Sequence, residues 1–177
     1  MNEVERYLRS LYDSDSRIAV LLLRGDGVIQ SVPSVNRVLA PGFQGYLHRM
    51  SDVGWNVYAS QALLKPGATG RKREDMLEAR TLWLDLDRGL DALGKVLTSD
   101  RVPKPTWVLQ TSHDRYQLVW RTEKLSYEKT ERYLRGMVAT FGADPNRTDI
   151  TSCLRLPGFA NCKRGKPLVR PVRLEEV

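Results

Sequence analysis

The sequence is poor in residues that hold soft metal ions or form covalent cross-links, with two Cys and two His among its 177 residues. Cys153 and Cys162 are too few for a disulfide framework, and with His48 and His113 they form no zinc-binding spacing. We therefore predict two structural thiols in a reducing compartment. These shortages argue against a disulfide-stapled scaffold and against a zinc enzyme.

Long hydrophobic runs are also missing. The longest run, at residues 18–23, is far too short to cross a bilayer, and residues 1–5 are acidic and polar, unlike a signal peptide. We therefore expect a cytoplasmic protein without a membrane partner. The length of the chain predicts one domain with a sizeable core, and it leaves room for two lobes.

Acidic residues are scarcer than basic ones: 21 Asp and Glu stand against 28 Lys and Arg, which gives a net charge of +7. Such a balance suits a polyanionic partner, either a nucleic acid or a nucleoside triphosphate. It also serves solubility alone, so the net charge by itself leaves both explanations open.

Hydrophobic periodicity predicts strands mixed with helices. Helices are predicted at 3–12, 34–50 with an interruption at Pro41 and Gly42, 89–97, and 126–141 with an end at Gly142. Strands are predicted at 17–24, 28–32, 55–59, 81–87, 106–111 and 117–120, with an edge strand in 166–174 and a mobile polar loop at 64–76. Because several strands form hairpins, the pattern predicts an α+β fold rather than a doubly wound parallel sheet.

Asp85 and Asp87 are the most informative residues of the chain. They end the apolar strand at 81–87, and side chains two apart on a strand point to the same face, roughly 6–7 Å apart at their Cα atoms. Two close anions need a balancing charge, and a hard divalent ion such as Mg²⁺ is a natural partner for carboxylates. A solvent-facing acidic strand end remains the alternative at this point.

Three later stretches carry complementary chemistry. Residues 110–117 offer hydroxyls, Arg115 and the Gln117 amide on a tight connection, which suits a phosphate-binding turn or an ordinary polar hairpin. Asp144 supplies a further carboxylate, although an Asp before Pro145 is also typical of a plain helix-exit turn. Residues 155–163 then form a basic, Gly-containing turn.

This ordered set resembles the archaeo-eukaryotic primase superfamily, and within it the RepB-type primases of plasmids and mobile elements. The resemblance rests on the Asp-x-Asp strand at 85–87, the Ser-containing motif at 111–117, an acid within 144–149, and the stretch Arg-Leu-Pro-Gly-Phe-x-Asn-x-Lys at 155–163. It spans about residues 55–165. One departure is Gln117, which stands where many members carry a His and which cannot carry a proton or a positive charge.

The resemblance implies a two-lobed α+β catalytic core, with an N-terminal lobe at about residues 1–80 and an RRM-like lobe carrying the metal site at about 81–177. It implies template-dependent nucleotidyl transfer, in which two Mg²⁺ or Mn²⁺ ions serve primer synthesis on single-stranded DNA during plasmid, phage or mobile-element replication. Expected partners are the template and nucleoside triphosphates. If the chain initiates replication, a helicase or replication initiator is expected on another chain.

The resemblance also assigns residues. The expected catalytic acids are Asp85, Asp87, Asp144 and Asp149, with the first three as metal ligands and Asp149 as the rival of Asp144. The expected nucleotide-binding residues are Ser112, Arg115, Gln117, Arg155, Asn161 and Lys163.

Two other functions stay open from the sequence. The departure at Gln117 favours a non-catalytic replication accessory protein that binds single-stranded nucleic acid. Paired acids also serve phosphodiester hydrolysis, so a metal nuclease is the third possibility.

Overall fold

The computed structural model describes residues 1–172, which form five helices and nine strands. The helices are α1 (Glu3–Leu11), α2 (Val35–Leu39), α3 (Pro41–Asp52), α4 (Gly89–Leu97) and α5 (Tyr127–Phe141). The strands are β1 (Val20–Arg24), β2 (Gly27–Ser31), β3 (Asn56–Ser60), β4 (Ala62–Leu64), β5 (Met76–Leu86), β6 (Trp107–Ser112), β7 (Arg115–Leu125), β8 (Cys153–Arg155) and β9 (Arg170–Pro171). The mixture confirms the predicted α+β class.

The strands build two antiparallel sheets. The first sheet has the order β2-β1-β3-β8, and the second has the order β4-β5-β7-β6-β9. The chain order β5-α4-β6-β7-α5 and the pairing β5-β7-β6 give the second sheet its RRM-like arrangement. The next strand after α5 is β8, which joins the first sheet, whereas β4 pairs with β5.

The larger apolar core lies between α1 and the two sheets. It contains Val4, Tyr7, Leu8 and Leu11 from α1, Val20, Leu22, Val57 and Leu154 from the first sheet, and Trp83, Leu109 and Val119 from the second. A second core fills the space between the second sheet and helices α4 and α5, and it includes Leu84, Leu86, Leu93, Val96, Leu118 and Phe141. Strand β5 is therefore buried on both faces.

Helix boundaries follow local chemistry. Helix α2 ends before Ala40, and Pro41 starts α3, because the residue before a proline is disfavoured in the helical conformation. The Ser126 hydroxyl caps α5 by accepting from the Lys129 amide, and Gly142 ends it in the left-handed region at φ +69°. Both the interruption at Pro41 and the end at Gly142 confirm the predictions.

Several strands differ from the predictions. Strand β5 begins at Met76, five residues earlier than predicted, and the short strands β4 and β8 were missed. Three-residue strands carry too few side chains to show a period of two, and their identity depends on distant partners. The predicted edge strand at 166–174 is reduced to β9, and its predicted end at Leu174 lies outside the described residues.

The predicted lobe boundary near residue 80 falls inside β5. The first sheet takes β8 from the later part of the chain, and the second sheet takes β4 from the earlier part. The division into lobes at this residue therefore stays a prediction. Within residues 1–172, the structure contains no helix long and apolar enough to span a membrane.

Candidate active site

Three carboxylates line one cleft where β5 leaves the core between the sheets. Asp85 and Asp87 continue the face of Trp83, which packs in that core, because alternate residues of a strand share a face. The backbone N–H of Asp144 donates to the Asp85 carbonyl at 2.9 Å and so fixes the loop after α5 against β5. Asp144 also caps the short 3₁₀ turn that follows it, by accepting from the Asn146 amide.

Two arginines balance these acids. Arg115 forms an ion pair with Asp87, and Arg147 Nε lies 3.8 Å from Asp85 Oδ2 and 3.7 Å from Asp144 Oδ2. Burial raises the pKa of Asp85, and repulsion from Asp87 and Asp144 adds to the rise despite the opposing effects of Arg147 and Gln117. Burial is the main cause of this shift, and Arg147 opposes it more strongly than either neighbouring acid adds to it.

Gln117 joins the two sheets at the floor of the site. It lies directly opposite Asp85 in the β5–β7 pair, and its Nε2 donates to Asp85 Oδ2 at 3.4 Å. Its Oε1 accepts from the backbone N–H of Arg155 on β8 at 3.0 Å. Both ends of the amide are thus engaged within the protein, so Gln117 orients Asp85 and ties β8 to the second sheet.

Arg155 is buried, and neighbours on β3 hold its guanidinium. Its Nη1 donates to Asn56 Oδ1 at 2.6 Å, and the guanidinium lies 4.7 Å from the centre of the Tyr58 ring. Burial lowers the pKa of Arg155, while Tyr58 and Asp85 oppose that effect. Arg155 is therefore not a surface arginine, since the residue is only 7% exposed.

Asn161 anchors the basic turn to β6. Its Nδ2 donates to the Thr111 carbonyl at 2.8 Å, and its Oδ1 accepts from the Lys163 backbone N–H at 3.3 Å. The turn is also held by Gly158, whose N–H donates to the Val169 carbonyl at 2.8 Å and whose φ of +85° favours glycine. Asn161 therefore positions Lys163 at the edge of the cleft.

These residues line one cleft between the sheets. Its walls are formed by Tyr58, Asp85, Asp87, Thr111, Arg115, Gln117, Asp144, Arg147, Arg155, Asn161, Lys163 and Arg164. Five basic and three acidic side chains give the lining a net charge of +2. An anionic ligand with its own counter-ions fits such a lining better than an apolar or cationic one.

Eight of the ten residues predicted from the sequence lie together in this cleft. Ser112 and Asp149, both in the described part of the chain, do not line it. The Ser112 hydroxyl is buried and has no hydrogen-bond partner among residues 1–172. Asp149 instead accepts from the Thr151 amide and hydroxyl and lies 3.8 Å from Arg73. Burial acts to raise the pKa of Asp149, but the bonds from Thr151 act against burial, and the pKa is lowered.

Sequence reasoning missed four contributors to the cleft. Arg147 lies within residues 144–149 but received no role, and Asn56, Tyr58 and Arg164 were not considered. The sequence pattern could have indicated Asn56 and Tyr58 as site residues, because polar groups two apart on a fully buried strand need polar partners on the same face. Of the two tryptophans near the site, Trp83 is buried, and Trp107 packs partly buried against the same core.

The carboxylates also suit a divalent cation. Within residues 1–172, no three His, Cys, Asp or Glu side chains stand as a ready ligand set, and Arg115 and Arg147 lie beside the acids of the cleft. The donors available are nevertheless carboxylate oxygens, which hard ions such as Mg²⁺ and Mn²⁺ prefer. Burial and the neighbouring acids both disfavour the charged form of Asp85 and raise its pKa; a divalent cation would compensate that charge, so the residues fit such an ion.

The two sheets and the cleft between them agree with the primase resemblance seen in the sequence. The family model of the RepB DNA-primase N-terminal domain matches residues 26–176, so this chain belongs to that family. The resemblance seen in the sequence is thereby confirmed.

Solved structures agree in fold. The crystal structure of primase RepB′ superposes with a TM-score of 0.77 at 20% identity, over 99% of this chain and 56% of that one. The catalytic domain of RepB′ in complex with initiator DNA gives 0.74 at 19% identity, over 99% and 87%. The AEP domain of the cyanophage S-2L primase-polymerase gives 0.73 at 14% identity, over 99% and 90%.

A replication protein of Clostridium perfringens is 29% identical over 108 residues, which is 52% of this chain and 26% of that protein. The chain thus spans about a quarter of that relative and about half of the full RepB′ chain.

Proposed function

We propose that this chain performs template-dependent nucleotidyl transfer and makes primers on single-stranded DNA, in plasmid, phage or mobile-element replication. The observation that carries the proposal is the convergence of Asp85, Asp87 and Asp144 with Arg115, Arg155 and Lys163 in one cleft. Acids for metal ions and cations for phosphates are the two requirements of this reaction, and the family supplies the reaction class.

Asp85, Asp87 and Asp144 would hold the Mg²⁺ or Mn²⁺ ions. When bound there, the ions would supply activation of the attacking 3′-hydroxyl and stabilisation of the leaving pyrophosphate. Gln117 keeps Asp85 aimed into the cleft, and the backbone bond from Asp144 to the Asp85 carbonyl keeps the third acid beside it. The chain's own part is to hold the acids close despite their repulsion.

The basic side chains would receive the nucleoside triphosphate. Arg155 is preorganised by Asn56 and Tyr58, so it reaches a phosphate without a large loss of side-chain entropy. Lys163 and Arg164 lie on the turn held by Asn161 and add charge at the edge of the cleft. Phosphate contacts from such residues would also hold the template strand.

Single-stranded DNA is the proposed template partner. The catalytic domain of RepB′, which shares this fold, was crystallised with initiator DNA. If this chain starts replication in the same way, a helicase or initiator would be required from another protein or from a further part of a longer chain.

The proposal is tested by incubating the protein with single-stranded DNA, labelled nucleoside triphosphates and Mg²⁺ or Mn²⁺. We expect extended products, starting with a dinucleotide, and their loss when EDTA removes the metal ions. Shortened template strands would indicate a nuclease instead. Failure to form any dinucleotide or extended product under either metal would contradict the proposal.

A non-catalytic accessory role is the second candidate, and Gln117 favours it. One N–H of the amide donates to Asp85 and the amide oxygen accepts from Arg155, so at most one N–H remains to donate to a phosphate. Salt-sensitive binding of single-stranded DNA without dinucleotide formation would support this role over the enzyme.

Asp144 and Asp149 give a matched pair of substitutions that tests the third acid. Asp144→Asn should lower nucleotide incorporation by about a hundredfold or more, because Asp144 lies beside Asp85, and loss of one ligand weakens the whole metal site. Asp149→Asn should change incorporation by less than about threefold, since Asp149 lies outside the cleft against Thr151 and Arg73. Steady-state incorporation assays measure both, and the reverse ranking would make Asp149 the third acid.

A further inference from the structure

Arg147 occupies an unusual position among the basic residues of the cleft. Its Nε lies between two of the carboxylates that would hold metal ions, at 3.8 Å from Asp85 and 3.7 Å from Asp144. Neither distance is a hydrogen bond, and the buried Nε has no hydrogen-bond partner among residues 1–172. Charge, rather than directed bonding, therefore keeps the guanidinium there.

The other two arginines beside the acids are held differently. Arg155 is bonded to Asn56 and stacked over Tyr58, and Arg115 forms a close ion pair with Asp87 alone. Arg147 is the guanidinium that two acids share, so it supplies positive charge to the same pair that would hold a cation.

The backbone of Arg147 is anchored while its side chain is not. The Arg147 carbonyl accepts from Trp83 Nε1 at 2.6 Å, and the residue ends the 3₁₀ turn capped by Asp144. The side chain is 40% exposed and lines both the cleft and a neighbouring groove bounded by Leu21, Tyr58 and Asp149. The guanidinium therefore borders a second groove besides the cleft.

We propose that Arg147 is an internal counter-ion that stabilises the metal-free acidic site and competes with the divalent cations for Asp85 and Asp144. This inference rests on the metal site of the proposed function. Metal ions must then displace the positive charge of Arg147 from the two acids. A bound anionic nucleotide favours this exchange, because its negative charge balances both the metal ions and the displaced guanidinium. Arg147 is then a positioning residue that couples metal loading to the presence of substrate.

The test is Mn²⁺ binding without nucleotide, measured by the electron paramagnetic resonance signal of free Mn²⁺ at low salt. Arg147→Gln should bind Mn²⁺ about tenfold more tightly than the wild type, because two carboxylates lose their resident cation. Arg164→Gln is the matched control: it removes the same charge from the same cleft without an ion pair to the acids, and should change the affinity by less than about twofold.

Thermal unfolding provides a second readout that does not depend on activity. Without metal, Arg147→Gln should unfold at a lower temperature than the wild type because Asp85 and Asp144 then repel each other unscreened. Saturating Mn²⁺ should raise its unfolding temperature by more than it raises that of the wild type or of Arg164→Gln.

The outcomes separate this inference from the proposed function. If wild type and Asp85→Asn bind Mn²⁺ equally, the metal site itself is wrong. If Asp85→Asn loses Mn²⁺ but Arg147→Gln binds it no more tightly than Arg164→Gln does, the metal site stands and the counter-ion role of Arg147 is overturned.

Discussion

Asp85→Asn is expected to abolish nucleotide incorporation while leaving the fold intact. The loss should be at least about a thousandfold in kcat/KM, because the neutral amide removes the most buried acid of the proposed metal site. The geometry supports an intact fold, since Asn retains an acceptor and a donor for the Gln117 amide across the β5–β7 pair. Steady-state incorporation with Mn²⁺ measures the loss, and circular dichroism verifies the fold.

The same substitution should not lower the unfolding temperature at neutral pH. The pKa of Asp85 is raised in the folded protein by burial and by Asp87 and Asp144, so the folded state holds the proton more tightly than the unfolded chain does. Ionised Asp85 therefore costs folding free energy above its folded-state pKa and costs nothing below its unfolded-state pKa. The stability advantage of Asp85→Asn should be present at neutral pH and should vanish on acidification through the raised pKa.

Two results would contradict this account. Full incorporation by Asp85→Asn would remove the acid from the mechanism. A large fall in unfolding temperature at neutral pH would mean that the Arg147 and Gln117 contacts outweigh burial and repulsion, so that Asp85 serves stability rather than function.

The sequence predicted most of the site because its chemistry is carried by short local motifs. Asp85 and Asp87 share a face by the period of a strand, and the stretch at 155–163 is nearly contiguous, so neither needs knowledge of the fold. The class of the fold was equally accessible, since helices such as α5 carry their own cap and end signals.

What the sequence could not predict depends on contacts between distant segments. The sequence offered both Asp144 and Asp149 as the third acid, and the contacts that distinguish them are made with distant segments: the backbone bond from Asp144 to β5 and the ion pair of Asp149 with Arg73. The role of Gln117 likewise arises from β8, a three-residue strand that pairs with β3 about a hundred residues earlier in the chain. Ser112 was assigned from its motif, but a β-bulge between Gln110 and Ser112 affects how side chains are presented there.

Trp83→Ala is expected to be the most destabilising single substitution near the site. Trp83 is 1% exposed in the core between the sheets, and the loss of a buried Trp costs about 3–5 kcal/mol in free energy of unfolding. For a domain of this size that is a large share of a stability of about 5–15 kcal/mol. Urea unfolding should therefore show a much lower midpoint. A loss of less than about 1 kcal/mol in the free energy of unfolding would contradict the tight packing of this core.

Trp83→Phe separates packing from the link to the acidic loop. Phe keeps an aromatic side chain in the core but removes the donor to the Arg147 carbonyl, which leaves that acceptor unpaired at a cost of about 1–3 kcal/mol. The loop carrying Asp144 and Arg147 is then less firmly held against β5, so incorporation should fall by more than the loss of folded protein explains. Trp107→Phe is the matched control, because Trp107 donates to Ser10 Oγ at 2.7 Å and has no bond to the acidic loop. If both variants retain equal activity per folded molecule, the core tryptophan does not position the acids, and the backbone bond between Asp144 and Asp85 is sufficient to hold them.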